Sequence, residues 1–305
     1  MAWKPEREIE IIASTPPGGG TDRSARALLK AIAANRLLDV PARVVNIVGD
    51  GGRKAWMHIG GRNGDSNLLG INSPNNTTDV LTNLVKEEQI RSTPIAILYT
   101  EYIAFISRSD TPITSGADFL NCLAVTPSKL TISLSTSLGN PNHIAVAKVI
   151  KQAGAEVTAP TIRVFDSARD VVGDIVAGNA DVGAITAASA APELEAGLIR
   201  AIAVSSPQRL PGVFAACPTW LEQGIDCVLG AWRGVAGAAD ITIEQSEFWR
   251  GVLSAATHTK EWRSELERHL WTDMYLDGEA LDRYLIKEHI EIKAMLGALG
   301  LLAQN

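Results

Sequence analysis

The stretch "TPPGGGTDR", residues 15–23, joins a short apolar strand to an alanine- and arginine-rich helix. Glycines allow close backbone approach, and the first amides of a helix have no partner within it. Such amides, at the positive end of the helix dipole, can hold an anion. A tight turn that binds nothing is the alternative. The residues of this first loop that we expect to contact a ligand are Thr15, Pro17, Gly18, Gly19, Gly20, Thr21 and Asp22.

The first loop fits neither of the two common phosphate motifs. Gly18 and Gly20 occupy the first two positions of a dinucleotide fingerprint, but its third glycine falls on Arg23. A P-loop would also need a glycine at that position. Thr21 or Asp22 is expected to cap the helix, with Asp22 facing its own helix rather than the anion.

A second loop, "STSLGNPNH" at residues 135–143, again lies between a predicted strand and a predicted helix. The expected donors to a second anionic group are Ser137, Asn140 and the backbone of Gly139, and Ser135 begins the loop. His143 falls in the first turn of the helix. A hydrogen bond that ties down the loop is favoured there over a catalytic role.

Two arginines have alternative roles that the sequence leaves open. Arg169, in "FDSARD", either binds a ligand carboxylate through two parallel hydrogen bonds or is a solvated helix charge paired with Asp166 or Asp170. Arg233 is either a hinge salt bridge or a ligand clamp. The remaining candidate ligand contacts are Asn72, Ser73, Tyr102, Asp166, Ser167, Arg169, Thr186 and Arg233.

Alternating strands and helices predict an α/β fold with two lobes. "EIEIIAS", "ARVVNIV" and "SNLLGINS" are typical of strands, as are "KLTISLS", "TIRVF" and "ADVGAIT" further along. From Ile243 onward the pattern indicates a helical tail. We expect lobe 1 to comprise residues 1–102 and 232–305 and lobe 2 to comprise residues 103–231. A ligand would lie in the cleft between them, at the carboxyl ends of strands.

Composition narrows the class of partner. The chain has 305 residues, of which 46% are hydrophobic and 20% charged, and its net charge of −6 argues against nucleic acid. Five histidines and three cysteines, without CxxC or HExxH, predict neither a metal site nor a cofactor. Cys217 and Cys227 either pair in an oxidising compartment or, as we favour, remain buried thiols.

Catalytic constellations are missing from the sequence. There is no GxSxG elbow, and His143 has no cysteine or serine partner at a diagnostic spacing. Paired carboxylates occur only in helical charge runs such as "SELERHLW". The pattern therefore favours a binding protein over an enzyme.

The stretch "TPPGGGTDRSARAL" resembles the start of the substrate receptors of tripartite tricarboxylate transporters, the Bug family. "HIAVAKVI", "LIRAIAVSSPQRLPGV", "PTWLEQGID" and "WRGVAGA" are similar to later family segments in the same order. "WRG" and the "W…WTD…Y" tail look most like the citrate-receptor branch. The resemblance implies a type II periplasmic-binding-protein fold, two Rossmann-like lobes with an inter-lobe cleft, and a helical C-terminal tail. It also implies a monomeric receptor that closes around a small organic carboxylate, favouring a di- or tricarboxylate, and delivers it to a membrane permease.

Some positions depart from the citrate branch. The stretch from Asp166 to Asp170 stands where that branch has a glycine-rich run, and Asn140 replaces a glycine. An amino acid is an alternative ligand, since Asp166 or Glu101 would meet its ammonium. A ligand sensor of the same fold and, less favoured, a cleft enzyme using His143 are alternative functions. The first strand follows Met1 within about eight residues, so an extracytoplasmic protein would here be a mature form without its leader.

Overall fold

The computed structural model of the protein describes residues 3–303 and confirms the α/β class. The chain forms two compact units. The first comprises the described residues up to Thr100, Trp232–Ala294 and Ala303, and the second comprises Glu101–Ala231 and Met295–Leu302.

Ten strands and ten α-helices occur in the described part of the chain. They are, in order, β1 (Ile9–Ala13), α1 (Gly20–Ala34), β2 (Ala42–Asn46), α2 (Arg53–Gly60), β3 (Leu68–Asn72), α3 (Asn75–Leu81), β4 (Ser92–Arg108), α4 (Gly116–Val125), β5 (Thr131–Ser135), α5 (Pro141–Gln152), β6 (Thr161–Phe165), α6 (Ala168–Val176), β7 (Val182–Thr186), α7 (Ala187–Glu195), β8 (Ile199–Val204), β9 (Gly230–Ala238), α8 (Ile243–Thr257), α9 (Lys260–Arg268), β10 (Thr272–Asp277) and α10 (Gly278–Ala298). The chain leaves the first unit within β4 and returns to it within β9.

The sheet of the first unit has the order β2-β1-β3-β9-β4, with β10 also paired to β4. β1 is parallel to β2 and β3, so the loops that follow these three strands lie at one edge of the sheet. β9 is antiparallel to β3, and Gly234 pairs with Asn72, which brings Arg233 to the same edge. Ile11 and Ile12, which point to opposite faces of β1, are both buried, as expected for a strand covered on both faces.

The second unit repeats this arrangement with β4-β7-β5-β6, and β8 also pairs with β4. β5 is parallel to β6 and β7, so their carboxyl ends lie at one edge. Phe105, Phe119 and Trp220 are fully buried in its core, and the rings of Phe105 and Trp220 meet edge to face at 4.9 Å.

The helical tail predicted from Ile243 onward is wrong at one element. Residues Thr272–Asp277 form β10, which pairs antiparallel with β4, with Thr272 opposite Thr100. The sequence "TDMYLD" is too short and too polar to show a clear period of two, and its pairing partner lies far away in the chain. Long-range pairing therefore decides this strand.

The first half contains one long strand and three short helices. The strand is β4, in which Tyr99 is fully buried and its hydroxyl lies 2.6 Å from Ser24 Oγ. The short helix α2 follows the glycine-rich stretch after β2. The sequence pattern indicated no helix at α3 or α4, which have seven and ten residues.

The cysteines of the second unit are free thiols. Cys217 and Cys227 are buried, and burial raises the pKa of each thiol to about 12. Cys122 is half-buried. The thiol alternative from the sequence is therefore the one that the structure contains.

Candidate ligand-binding site

The first loop is held in place by its own hydroxyl groups. The Thr15 amide donates to Thr21 Oγ1 at 3.0 Å, and the Asp22 amide donates to Thr15 Oγ1 at 3.2 Å. A Cβ at Gly19 would lie 2.5 Å from Thr15 Oγ1. A glycine is therefore required at this position by packing, since any side chain would break the turn. Pro17 lies exposed at the loop tip.

The Asp22 carboxylate holds the first loop in place through hydrogen bonds. Its Oδ2 accepts from the Gly18 amide at 2.8 Å and from Arg26 Nε at 2.9 Å, and its Oδ1 accepts from Asn46 Nδ2 at 2.9 Å. Burial pushes the pKa of Asp22 upward, but the hydrogen bonds from Arg26, Gly18 and Asn46 outweigh it, and the pKa lies below its ordinary value. Asp22 is thus a buried, fully bonded anion that fixes the loop.

The predicted cap by Thr21 or Asp22 is wrong. The helix begins at Gly20, its N-cap residue is Gly19, and Gly19 has no side chain to cap with. The Thr21 hydroxyl and the Asp22 carboxylate are instead used by the loop that precedes the helix. The Thr15 hydroxyl accepts from the Asp22 amide in place of a cap, which leaves the amides of Gly20 and Thr21 open.

These open amides lie beside a cation. Within residues 3–303, no group accepts a hydrogen bond from the amides of Gly20 or Thr21. The Arg233 guanidinium approaches to 3.8 Å from the position that a Cβ on Gly20 would take, and its Nη1 donates to the Trp232 carbonyl at 3.0 Å. Two amide donors, a helix dipole and a guanidinium together form a site suited to an anion.

Asn72 is the last residue of β3 and Ser73 follows it at the same edge of the sheet. Their side chains form hydrogen bonds with the first residues of α3. Asn72 Oδ1 accepts from the Ser73 amide at 2.8 Å and from Asn76 Nδ2 at 3.0 Å. The Asn75 amide donates to Ser73 Oγ at 3.4 Å. Both side chains are buried, and the bonds of Asn72 hold the turn between β3 and α3.

The second loop is tied down as the sequence predicted for His143. The Gly139 amide donates to His143 Nδ1 at 2.9 Å. Burial lowers the pKa of His143 to about 4, so the imidazole is neutral at neutral pH and its Nδ1 is an acceptor. Asn140 is the N-cap of α5: its Oδ1 accepts from the His143 amide at 3.0 Å, and its Nδ2 donates to the Ser135 carbonyl at 2.6 Å. The side-chain groups of Asn140 are therefore used inside the loop.

The backbone of the second loop is strained. Thr136 has a φ of 74°, which is unfavourable for a β-branched residue, and its amide donates to the Phe165 carbonyl at 2.7 Å. This bond ties the loop after β5 to the end of β6. Ser137 is buried in the same turn, and Ser135 Oγ accepts from Asn142 Nδ2 at 3.0 Å.

The loop after β6 presents exposed charges. Ser167 is the N-cap of α6 and accepts from the Asp170 amide at 3.2 Å. Asp166 and Arg169 are exposed, and Arg169 forms no ion pair within the described part of the chain. Of the two roles left open for Arg169, the structure does not contain the pairing with Asp166 or Asp170.

The last two candidates lie elsewhere in the second unit. Thr186, at the end of β7, has its Oγ1 at 3.0 Å from Ser189 Oγ. Tyr102 is half-buried in β4, and burial raises the pKa of its phenol, which therefore stays neutral. Each hydroxyl is a neutral donor or acceptor.

Sequence reasoning missed the loop after β2, residues 47–52. A Cβ at Gly52 would lie 3.2 Å from Ser14 Cβ and Oγ, so this loop packs directly against the first loop. The signal was present in "GDGG", four residues that all have positive φ. The residue that follows this loop, Arg53, forms an ion pair with Asp79. The two are 26 residues apart, so no local sequence pattern indicates the pair.

No cluster of three histidine, cysteine, aspartate or glutamate side chains suited to a metal ion occurs in the described residues. Among the helices that the structure describes, none is long and apolar enough to cross a membrane.

The comparisons with known proteins agree in family and fold. A model described as the tripartite tricarboxylate transporter family receptor matches residues 63–245, more than half of the chain. No protein with curated annotation matches. An R. palustris protein solved with adipate has a TM-score of 0.86 at 19% identity, covering 97% of this chain and 98% of its own.

Two other solved structures are similar over nearly their whole length. The periplasmic binding protein BugD has a TM-score of 0.84 at 17% identity, with 98% of this chain and 100% of its own covered. MatC from Rhodopseudomonas palustris, solved with bound malate, has a TM-score of 0.77 at 18% identity, with the same coverage. At these identities the likeness shows the fold, and it confirms the predicted two-lobe fold of periplasmic binding proteins.

Proposed function

Because the chain belongs to the tripartite tricarboxylate transporter receptor family, we propose that it is an extracytoplasmic receptor for a small organic di- or tricarboxylate. It delivers this ligand to the permease of such a transporter. Adipate and malate, with which two of the similar structures were solved, support a dicarboxylate. The receptor acts as a monomer and releases its ligand chemically unchanged.

The observation that carries the proposal is the pair of open amides at Gly20 and Thr21 beside Arg233. The helix dipole contributes up to about 2 kcal/mol to anion binding, and each net hydrogen bond about 1 kcal/mol. These amounts orient one carboxylate without binding it tightly. The guanidinium of Arg233 then adds a charge-assisted contact.

The rigidity of the first loop matters as much as its donors. Asp22, Thr15 and Thr21 fix the loop before any ligand arrives, so little ordering entropy is lost on binding. Asp22 does not repel the ligand carboxylate strongly, because its own charge is satisfied by Arg26, Gly18 and Asn46. The loop therefore behaves as a preformed anion site.

The second unit contributes a loop that is equally preformed. His143 and Asn140 hold the turn, and Ser137 supplies a hydroxyl. We propose that this loop contacts a further polar group of the ligand, and that Arg169 contributes an additional positive charge. Closure of the two lobes around the ligand, expected from the sequence, is part of the proposal.

The test is a ligand screen on protein that has been unfolded, dialysed and refolded to remove bound molecules. Monocarboxylates, dicarboxylates, tricarboxylates and amino acids are compared by thermal unfolding. A ligand at 100 times its Kd stabilises the folded state by about 2.7 kcal/mol, which raises Tm by several degrees. Hits confined to di- and tricarboxylates are expected.

Two results would contradict the proposal. One is a screen without hits on protein that also releases no small molecule when denatured and analysed by mass spectrometry. The other is stabilisation by amino acids alone, which would favour the alternative in which an acidic side chain meets an ammonium. Recovery of the hit ligand intact after long incubation tests the non-enzymatic role.

A further inference from the structure

The loop after β2, residues 47–52, has a backbone that few sequences can adopt. Gly49, Asp50, Gly51 and Gly52 have φ values of 130°, 52°, 64° and 104°. Asp50 is not a glycine, so its conformation costs free energy that the surrounding structure must offset. Strain of this kind is retained where it positions a group, and the group that follows is Arg53, the first residue of α2.

A short chain of contacts connects this loop to the open amides. A Cβ at Gly52 would lie 3.2 Å from Ser14, and Ser14 Oγ lies 3.3 Å from Thr21 Oγ1. Thr21 carries one of the two open amides. Arg53 therefore begins its helix beside the first loop, at the edge where β1, β2 and β3 all end.

The Arg53 guanidinium contacts Asp79 through one nitrogen, and its other nitrogens remain available. Its Nη1 contacts Asp79 Oδ2 at 3.4 Å, a long distance for a hydrogen bond, and 20% of the Arg53 side chain is exposed. Within residues 3–303, Nε and Nη2 of Arg53 donate no hydrogen bond. Asp79 is 4% exposed, so it orients the guanidinium from inside the unit.

This geometry suits a second anion. A guanidinium can use one edge for a fixed carboxylate and present its remaining donors to another in a bidentate fork. With Nη1 turned toward Asp79, the Nε and Nη2 donors of Arg53 remain for a ligand. Lysine, a point charge without that fork, would not substitute equally.

We propose that Arg53 binds the second carboxylate of the ligand whose first carboxylate is held by the amides of Gly20 and Thr21. The inference rests on the proposed function and adds a specificity determinant to it. A dicarboxylate then gains two separate contacts on the first unit, and a monocarboxylate gains one. Arg53 thereby sets the preference for dicarboxylates.

The experiment compares Arg53→Gln with the matched control Arg62→Gln, which removes an exposed arginine just beyond the other end of α2. Calorimetric Kd values are measured for malate and adipate and for their monoamides. For the dicarboxylates, Arg53→Gln is expected to raise Kd about 10- to 100-fold. The monoamides should change by about twofold or less, and Arg62→Gln should change neither.

A structural role predicts a different pattern. If Arg53 only neutralises Asp79, Arg53→Gln lowers both affinities equally or changes neither, and the inference is wrong while the proposed function stands. If the wild-type protein binds neither dicarboxylates nor tricarboxylates, both are wrong. If Arg53→Gln does not fold, the test uses Asp79→Asn, which removes the internal partner of Arg53. The ratio of the monoamide Kd to the dicarboxylate Kd should then increase. An unchanged ratio overturns the inference.

Discussion

Glu288 of α10 makes the stability of the first unit depend on pH. Trp232 Nε1 donates to Glu288 Oε1, and Trp232 packs with Ile97 and Leu281. Burial raises the pKa of Glu288 to about 7, against an ordinary value of 4.5, although the Trp232 bond lowers it. The folded protein therefore binds a proton at Glu288 over a range in which the unfolded chain has released it.

The sign and size follow from this difference in pKa. Stability from the protonated carboxyl is complete below about pH 4.5 and is lost as pH rises through about 7. At about 1.4 kcal/mol per pKa unit, the full loss is about 3 kcal/mol. Between pH 5 and pH 8 the loss is about 2–3 kcal/mol, because the unfolded carboxyl is already largely ionised at pH 5.

Glu288→Gln keeps an oxygen that accepts from Trp232 but removes the titration. Urea unfolding at pH 5 and pH 8 gives the change in free energy of unfolding for each protein. We expect the wild type to lose about 2–3 kcal/mol more than Glu288→Gln between these pH values. Glu279→Gln, in the first turn of the same helix and 90% exposed, is the control and should behave as the wild type. Equal pH dependence in wild type and Glu288→Gln would show that this carboxyl is not held as described.

Three further predictions concern the two loops. Arg233→Gln should raise the Kd for a carboxylate ligand about 10- to 100-fold, measured by calorimetry, whereas the exposed Arg91→Gln should not. Gly19→Ala should lower the free energy of unfolding, measured in urea, by about 1–3 kcal/mol, because its Cβ would lie 2.5 Å from the Thr15 hydroxyl. The control is Gly251→Ala, whose Cβ would have no atom within 4 Å, and it should be neutral or slightly stabilising. His143→Ala should weaken ligand binding, and wild-type affinity should show no transition between pH 5.5 and 8 arising from His143, whose pKa is about 4.

Each of these has a contrary outcome. Unchanged carboxylate affinity in Arg233→Gln would remove the guanidinium from the anion site. A Gly19→Ala protein as stable as Gly251→Ala would mean that the turn can move aside. A binding transition near pH 6.5 that disappears in His143→Ala would mean that the imidazole is more solvated than its burial indicates.

The sequence predicted the fold class and several local features well because they have local causes. Runs such as "EIEIIAS" and "KLTISLS" are apolar enough to form buried strands, and glycine-rich turns mark their ends. The His143 bond to the second loop was also predictable, since a polar residue in the first turn of a helix readily meets the preceding loop. Resemblance to known receptors supplied the two-lobe fold.

What the sequence could not supply depends on contacts between distant residues. The capping role predicted for Asp22 from the sequence is wrong. Asn46 donates to the Asp22 carboxylate, and a residue 24 positions away is not part of any local capping pattern. The pairing of β10 with β4 and the Arg53–Asp79 contact are of the same kind. Their partners become neighbours only in the assembled fold. The site residues proposed from sequence remain predictions until ligand binding is measured.

The most direct test of the central claim is calorimetric titration of refolded, ligand-free wild-type protein with the best di- or tricarboxylate from the screen. The account predicts saturable binding of one ligand per chain, abolished or strongly weakened in Arg233→Gln. Absence of saturable binding to every di- and tricarboxylate tested, with an amino acid or an uncharged solute binding instead, would contradict it.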